Sequence, residues 1–450
     1  TKPASFIAIR CLHELALQFK SQYPEAAKII QRDFYVDDLL TGHNSVEELI
    51  VIRDQIIEIL KHGGFSLRKW ASNHSELIPD TLSHEQNLNI RLDKGEYTKP
   101  LGLLWNPYHD ILNYSVRDFE YNVSNQITKR EILSKTAQIF DPLGLIAPVI
   151  VTAKIVIQRL WMLKIGWDEP VPETIQQTWQ NLLRTFGSLN QINIPRNIIQ
   201  INRIAIEMHG FGDASQVAYG AAVYLRVTDS SENSQTHLIA AKSRIAPLKT
   251  ITLPRLELSA ALLLTRLMNV VSQALHMEIN RKYFWSDSTI VLAWIKGTPA
   301  SYQTFVGNRI SEIQTLSPKD GWYHVKSEDN PADIISRGCT PENLKNNSLW
   351  WHGPHWLNQN YSEWPIQNIN LETIETPERR TISLLSSETP TVELPILTKF
   401  SSYKKTERVV SWVLRFINNC KNPNSKNLAN HLLTEELQNS KFTIARQLQK

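Results

Sequence analysis

Four acidic motifs punctuate the stretch from Met208 to Gly338, each where a strand should end or a helix should begin. They are Gly212-Asp213-Ala214-Ser215, Pro254-Arg255-Leu256-Glu257-Leu258, Trp285-Ser286-Asp287-Ser288 and Asn330-Pro331-Ala332-Asp333. Asp213 follows the apolar run that starts at Ile204, and Asp287 follows Tyr283-Phe284-Trp285. Glu257 falls in the first turn of a long apolar helix, and Asp333 begins a short helical segment. Carboxylates at strand ends and helix starts converge on one edge of an α/β sheet. Gathered there, they repel one another unless cations sit between them. Hard oxygen donors without nearby His or Cys select Mg²⁺ or Mn²⁺. Two such ions roughly 4 Å apart are the usual apparatus for hydrolysing a phosphodiester.

Each motif also has a plainer reading. Asp213-Ala214-Ser215 makes a turn, Glu257 behind Pro254 complements a helix N-terminus, Ser286-Asp287-Ser288 is an N-cap, and Asp333 caps a last helix. The set is more specific than its members, because it occurs in this order on a βββαβα pattern. Residues 203–338 resemble a ribonuclease H domain of the retroelement type, whose active site is an Asp-Glu-Asp-Asp set. The resemblance assigns catalysis and metal binding to Asp213, Glu257, Asp287 and Asp333, with two Mg²⁺ or Mn²⁺ ions as cofactors. The wording of Pro254–Leu258 and Asn330–Gly338 is similar to that of BEL/Pao retrotransposon polyproteins. Retroviral relatives carry a His in the loop before the last Asp. Here His324 falls in Trp322-Tyr323-His324-Val325, which reads as a strand, so it receives no catalytic role.

The same resemblance extends toward the N-terminus. Residues 1–30 hold a helical pattern, followed by Phe34-Tyr35-Val36-Asp37-Asp38-Leu39-Leu40. Adjacent Asp residues between apolar runs mark a hairpin tip. Tyr35-Val36-Asp37-Asp38 resembles the metal-binding hairpin of reverse transcriptases, which makes Asp37 and Asp38 metal ligands. An amphipathic helix carrying Val46, Leu49, Ile56 and Leu60 comes next, stopped by Gly63-Gly64. Phe65–Trp70 then reads as a strand, and Leu101-Gly102-Leu103-Leu104-Trp105 resembles the primer-grip strand. The third polymerase Asp and the fingers belong upstream of Tyr35, so Asp37 and Asp38 are two thirds of a site.

Residues 116–200 read as helical and connecting. Thr128-Lys129-Arg130-Glu131 is a capping box, with further helices over Pro148–Leu163 and Pro172–Leu183. Lys129, Arg130, Lys135 and Lys154 are phosphate-contact candidates, as is Arg309 on the predicted helix 301–316; solvated charge or salt-bridging is the plain alternative. Beyond Pro341 come clustered tryptophans, a Thr/Ser/Glu/Pro-rich linker over 366–400, and amphipathic helices over 404–420 and 430–449 that resemble the approach to an integrase.

Composition sets few limits. At 450 residues, with 42% hydrophobic and 20% charged residues, there is ample core for two or three domains. A net charge of +4 allows a polyanion partner without demanding one. Cys11, Cys339 and Cys420 form no close pair, which points to a reducing, intracellular setting: a cytoplasmic particle or the nucleus. The apolar run Leu143–Leu163 carries Lys154 and Arg159 and makes a poor membrane span.

The expected architecture is therefore a multidomain α/β and α+β chain, read as part of a longer BEL/Pao-like Pol polyprotein. Residues 1–115 are the C-terminal part of a reverse transcriptase palm and 116–200 a helical thumb or connection. Residues 201–340 are a ribonuclease H-like mixed five-stranded sheet with flanking helices, and 341–450 a linker and helical tail toward an integrase. The expected partners are an RNA–DNA hybrid and the polyprotein's missing polymerase half and integrase, with no membrane. The expected reaction is metal-dependent cleavage of the RNA strand, in-line at phosphorus, with the 2′-OH and hybrid groove shape identifying the RNA. Two rivals are an inactive or domesticated nucleic-acid-binding remnant and a Pao-type aspartic peptidase. The peptidase needs Asp-Thr-Gly or Asp-Ser-Gly, and neither tripeptide occurs.

Overall fold

Leu12 and Ala16, then Ala26, Ala27, Ile29 and Ile30, fall at helical spacing and become the buried faces of α1 (Ala4–Phe19) and α2 (Pro24–Asp33). The computed structural model describes residues 3–79, 103–116, 127–199, 203–366, 374, 376–380 and 399–448. Two units emerge, Thr1–Arg380 and Thr381–Lys450. After α2 the expected hairpin forms from β1 (Phe34–Tyr35) and β2 (Asp38–Leu39), with Tyr35 paired to Asp38 and Val36 turning at φ 58°. α3 (Val46–His62) starts at Ser45, whose hydroxyl accepts the Glu48 N–H, and packs Ile52, Ile56, Ile59 and Leu60 against α1 and α2. The expected strand at Phe65–Trp70 is instead irregular. No neighbouring strand among the described residues supplies the ladder that a strand's backbone groups require.

β3 (Leu104–Asn106) begins inside the expected primer-grip strand, of which Leu101 and Gly102 lie outside the described residues. It pairs with β4 (Ile111–Asn113), which in turn pairs with β5 (Asn193–Pro195). The stretch expected to be helical and connecting thus also contributes a strand. Its helices form as the sequence dictates. α4 (Lys129–Ala137) is capped by Thr128, which accepts the Glu131 N–H; α5 is Ala147–Met162, and α6 is Glu173–Thr185.

The central sheet has five strands: β6 (Arg203–Ala214), β7 (Ala218–Asp229), β8 (Ser234–Ile245), β9 (Arg281–Ser286) and β10 (Trp322–His324), in the order β10-β9-β6-β7-β8. β6, β7 and β8 form an antiparallel meander. The long helix α7 (Leu253–Ala274) carries the chain back, so that β9 lies parallel to β6 and β10 parallel to β9. α8 (Thr289–Lys296) and α9 (Thr304–Leu316) make the second crossover. The mixed five-stranded sheet with flanking helices is as expected.

Alternation along the strands divides the molecule into two cores. Met208, Val223 and Leu225 face Leu264 and Met268 of α7, with α8 and α9 closing that side. Phe211, Tyr224 and Trp285 face the other way, into a core shared with α5 and with Trp350, Trp356, Leu357 and Trp364. Past the sheet, α10 (Asp333–Arg337), α11 (Pro341–Lys345) and α12 (Ser348–His352) lead into those tryptophans. Trp350 donates its indole N–H to Leu145 O at 2.9 Å, and Tyr224 OH donates to Trp350 O at 2.8 Å. At Gly144, φ is 76° and an added Cβ would lie 1.8 Å from Ala241 O, so only glycine lets this turn sit against β8. Residues on both sides of 200 and of 340 therefore share one core.

In the second unit, α13 (Tyr403–Lys421) packs with α14 (Thr434–Leu448) through buried Ser411, Arg415, Ser440 and Ile444. Arg415 ties the helices to their linker, donating to Glu436 Oε1 at 2.7 Å and to Ala429 O at 2.6 Å. Most of the expected linker over 366–400 lies outside the described residues. No helix among the described residues is long and apolar enough to cross a membrane.

Candidate active site

The parallel pairing of β6 with β9 fixes the first two acids. Gly212 pairs with Ser286, so the next residues, Asp213 and Asp287, stand side by side at a shared carboxyl end. Neighbouring strands there are about 4.8 Å apart. α7 crosses this end closely, since an added Cβ at Gly212 would lie 3.4 Å from Ala260 O. Glu257 lies one turn before Ala260 on that helix. Ser288, directly after Asp287, donates its hydroxyl to Glu257 Oε2 at 2.5 Å while accepting the Val291 N–H at 3.3 Å. One serine thus caps α8 and holds the helical acid.

The fourth acid arrives from the opposite face. Asn330 donates its side-chain N–H to Gly212 O at 3.3 Å, and Ser215 Oγ donates to Ser336 O at 2.7 Å. These bonds clamp α10 across the end of β6, with Asp333 in its first turn. An added Cβ at Gly220 would lie 2.2 Å from Ile335 Cγ2, so a bare backbone on β7 is what lets α10 seat there.

Charge links the four carboxyl groups in a chain: Asp287 and Asp333 act on Asp213, and Asp287 acts on Glu257. Asp213, only 7% exposed, is pushed up to about 7, first by burial and then by Asp287 and Asp333, with the Ser336 hydroxyl opposing. Burial also raises Glu257, with Asp287 adding and Ser288 opposing. Asp287 Oδ2 accepts from Ser327 Oγ at 2.7 Å, and Asp333 Oδ1 accepts from Arg337 Nε at 2.7 Å. The acids lie toward one end of the sheet, but their oxygens do not gather. Among the described residues, no group of three or more His, Cys, Asp or Glu side chains closes to metal-binding geometry. Each carboxylate turns instead to a donor of its own, which lowers the repulsion between like charges crowded at one sheet end.

The remaining sequence candidates fare differently. Asp37 lies in the hairpin turn and Asp38 opposite Tyr35, both exposed, with no third acid completing a cluster among the described residues. Lys129 is not a surface cation: it is 3% exposed, with its ammonium 3.5 Å from the Trp161 ring centroid. Arg130 is engaged bidentately by Asp168 at 2.7 and 2.9 Å. Lys135 pairs with Glu131 at 2.6 Å, and Lys154 donates to Ser243 Oγ at 3.1 Å. Arg309 stacks on Phe305 at 3.4 Å and donates to its carbonyl. His324 pairs with Ser286 in β10, a strand residue as expected.

Sequence reasoning missed the residues that hold the acids: Ser288, Ser327, Ser336 and Asn330. Ser288 had a visible signal as an N-cap, and Asn330 as the first residue of Asn-Pro-Ala-Asp. Ser327 and Ser336 had none, because a lone serine has no periodicity.

Residues 128–288 match the Pao retrotransposon-like RNaseH-like domain family. No curated protein matches the chain. Solved structures similar to it include the N-terminal RNase H domain of a Mycobacterium tuberculosis protein, determined as a fusion with maltose-binding protein. That match has 12% identity over 30% of this chain and 93% of the other, at a TM-score of 0.21. An RNase H1 isolated from compost by a metagenomic approach matches at 18% identity over 29% and 91%, TM-score 0.21. RNase H1 from the halophilic archaeon Halobacterium salinarum matches at 14% over 32% and 97%, TM-score 0.19.

Proposed function

We infer that this chain, a Pao-type retrotransposon Pol segment with an RNaseH-like domain, is a ribonuclease H that cuts the RNA strand of RNA–DNA hybrids with divalent metal. One observation carries the reading: Asp213 and Asp287 stand at the ends of adjacent parallel strands, and Asp213 is lifted to about 7, first by burial and further by Asp287 and Asp333. Strand ends that concentrate unneutralised carboxylates are a costly arrangement for a structural role, and a productive one for cation binding. The donor set, all hard oxygen with no His or Cys, fits Mg²⁺ or Mn²⁺. Asp213, Glu257, Asp287 and Asp333 would hold it. When bound, the metal supplies charge neutralisation at the phosphate and a more acidic water. The chain's own part is to fix the ligands: Ser288 orients Glu257, Ser327 orients Asp287, and Arg337 holds Asp333.

The test compares the chain with its Asp287→Asn variant on a labelled RNA–DNA hybrid in Mg²⁺ and in Mn²⁺. The substitution keeps the side chain's shape and removes one ligand charge. Cleavage should fall by orders of magnitude while hybrid binding stays nearly constant, and EDTA should abolish cleavage by the unmodified chain. Equal cleavage by both proteins would place the active site elsewhere. Cleavage by neither would favour an inactive nucleic-acid-binding remnant.

By the same resemblance we read residues 1–115 as the C-terminal part of a polymerase palm, with Asp37 and Asp38 as two of its three metal ligands. The Tyr35–Asp38 hairpin supports that reading. No third acid joins them among the described residues, and two acids alone cannot hold both ions and a triphosphate. The expected result is no template-directed primer extension by this 450-residue chain with Mg²⁺ and nucleotides.

A further inference from the structure

The helical pair at the C-terminal end packs with its polar side inward. α13 meets α14 through Glu407, Ser411 and Arg415, which recur one turn apart along one side of the helix. Ser411 Oγ donates to Glu436 O at 3.2 Å, and Lys441 pairs with Glu407 at 3.6 Å. Arg415 donates to Glu436, to Ala429 O and to His431 O. From the other side α14 brings Ser440 and Ile444, and Ile444 is the one buried apolar side chain among the described residues of this unit. So small a unit with so polar an interior has almost no core of its own, and units of that kind usually borrow one from another surface.

The apolar residues of α13 lie on its other side. Val409, Trp412, Val413, Phe416, Ile417 and Cys420 recur at three- and four-residue spacing, the pattern of a helix face made to be buried. Yet Phe416 is 70% exposed, Val413 45%, and Trp412 and Ile417 42% each. Between Val409 and Cys420 the one charged residue is Arg415, which is turned to α14. Nucleic acid fits such a stripe poorly, because its phosphates need cations along the contact. Charge gathers instead at the N-terminal end, as Lys404, Lys405 and Arg408, with no acid in the first turn. Cations there oppose the dipole of their own helix. A parallel pair of these helices would stack the two clusters. An antiparallel pair sets each cluster beside the other helix's C-terminal carbonyls, where Lys421 is the one cation. Aromatic side chains bury about 150–250 Å² each, so the exposed parts of the stripe offer roughly 400 Å² per copy, the scale of a weak, reversible dimer once flanking residues join.

We propose that α13 is a self-association face, pairing antiparallel with α13 of a second copy of this chain. A two-fold axis between Val413 and Phe416 matches the stripe to itself and brings Val409 opposite Cys420. The pairing is independent of the nuclease reading and is measured without nucleic acid or metal.

The test follows the full chain by sedimentation velocity across a concentration series. The unmodified chain should pass from monomer to dimer with a dissociation constant on the order of micromolar. Phe416→Glu places a charge at the centre of the seam and should weaken the dimer by about tenfold or more. Phe442 of α14 is equally exposed, at 70%, and lies about half a turn from Ser440 and Ile444, so Phe442→Glu should dimerise as the unmodified chain does. A gain-of-signal arm needs no disrupted interface. Val409→Cys, oxidised with diamide, should give a disulfide-linked dimer through Cys420 of the partner subunit, and adding Cys420→Ser should abolish it. Cys420 is itself exposed. In the antiparallel pair it lies about 16 Å along the seam from its symmetry mate, so the unmodified chain should not crosslink through it. Crosslinking at Cys420 alone would mean a parallel pair and overturn the geometry. A chain that stays monomeric throughout overturns the proposal, whether another part of the same chain or a nucleic acid covers the stripe. So does loss of the dimer in both glutamate variants, or in neither.

Discussion

At the residue scale, Asp213 couples the site to pH. Its carboxyl group is raised from near 4 to about 7 in the folded chain, so between those values the fold keeps a proton that the unfolded chain has released. A folded state that binds more protons loses stability as pH rises. In EDTA the melting temperature should therefore decline from about pH 4 to about pH 7 through this group, with Glu257 acting in the same direction. Asp213→Asn should flatten that decline, since a neutral amide needs no proton. Divalent metal should oppose it, because the ion takes the proton's place among the carboxylates. Mg²⁺ affinity should correspondingly climb with pH and level off above about 7, by up to tenfold per unit for a single competing proton. A calorimetric titration at several pH values checks this. Affinity independent of pH below 7 would mean that Asp213 is not a ligand.

At the scale of elements, the site depends on α10 seating against β7. Gly220→Ala would place a methyl 2.2 Å from the Ile335 side chain and 3.1 Å from Lys242 O, so α10 must shift outward. The expected cost is about 1–3 kcal/mol of stability, and cleavage should drop further than stability does, because Asp333 moves with the helix. Adding Ile335→Ala should restore part of the activity; no restoration would show that the clash is not at α10. This dependence was half legible. The apolar runs that end at Asp213 and Asp287, and the helix starts that carry Glu257 and Asp333, pointed the four acids to one edge of a sheet. How the carboxylate oxygens are aimed was not legible, because it is set by Ser288, Ser327 and Ser336, which meet their acids only after the fold closes. Arg309 was visible as a cation, but that its neighbour Glu312 is bound by Arg266 emerged only from the fold. Lys129 failed for a related reason: Trp161 is a helix residue with no sequence cue that it will cover a lysine.

At the scale of the molecule, the question is what constitutes the folding unit. The sequence pattern drew seams at 200 and 340, following the βββαβα run, yet most of the cover on the aromatic face of the sheet comes from outside those limits. Phe211, Tyr224 and Trp285 pack under α5 and under Trp350, Trp356 and Trp364. Arg226 donates to Leu357 O at 2.6 Å and to Gln359 O at 3.1 Å, so even the sheet's charged edge is completed from beyond 340. Hydrophobic burial dominates folding, at about 25 cal/mol per Å² of apolar surface removed from water. A fragment of 201–340 would expose Phe211, Tyr224 and Trp285 on one face and strip Arg226 of its acceptors at Leu357 O and Gln359 O. That fragment should aggregate or melt without a cooperative transition. A fragment of 127–366 retains α4, α5, α6 and the tryptophan cover, and it should melt cooperatively and cleave hybrid at a rate within a few-fold of the full chain. Circular dichroism melts of the two fragments, with hybrid cleavage assayed on each, decide the matter. A stably folded, active 201–340 fragment would show that the covering elements are an accessory to the nuclease. Failure of the longer fragment would extend the folding unit to the helices before residue 127 and to β3 and β4, which form a sheet with β5.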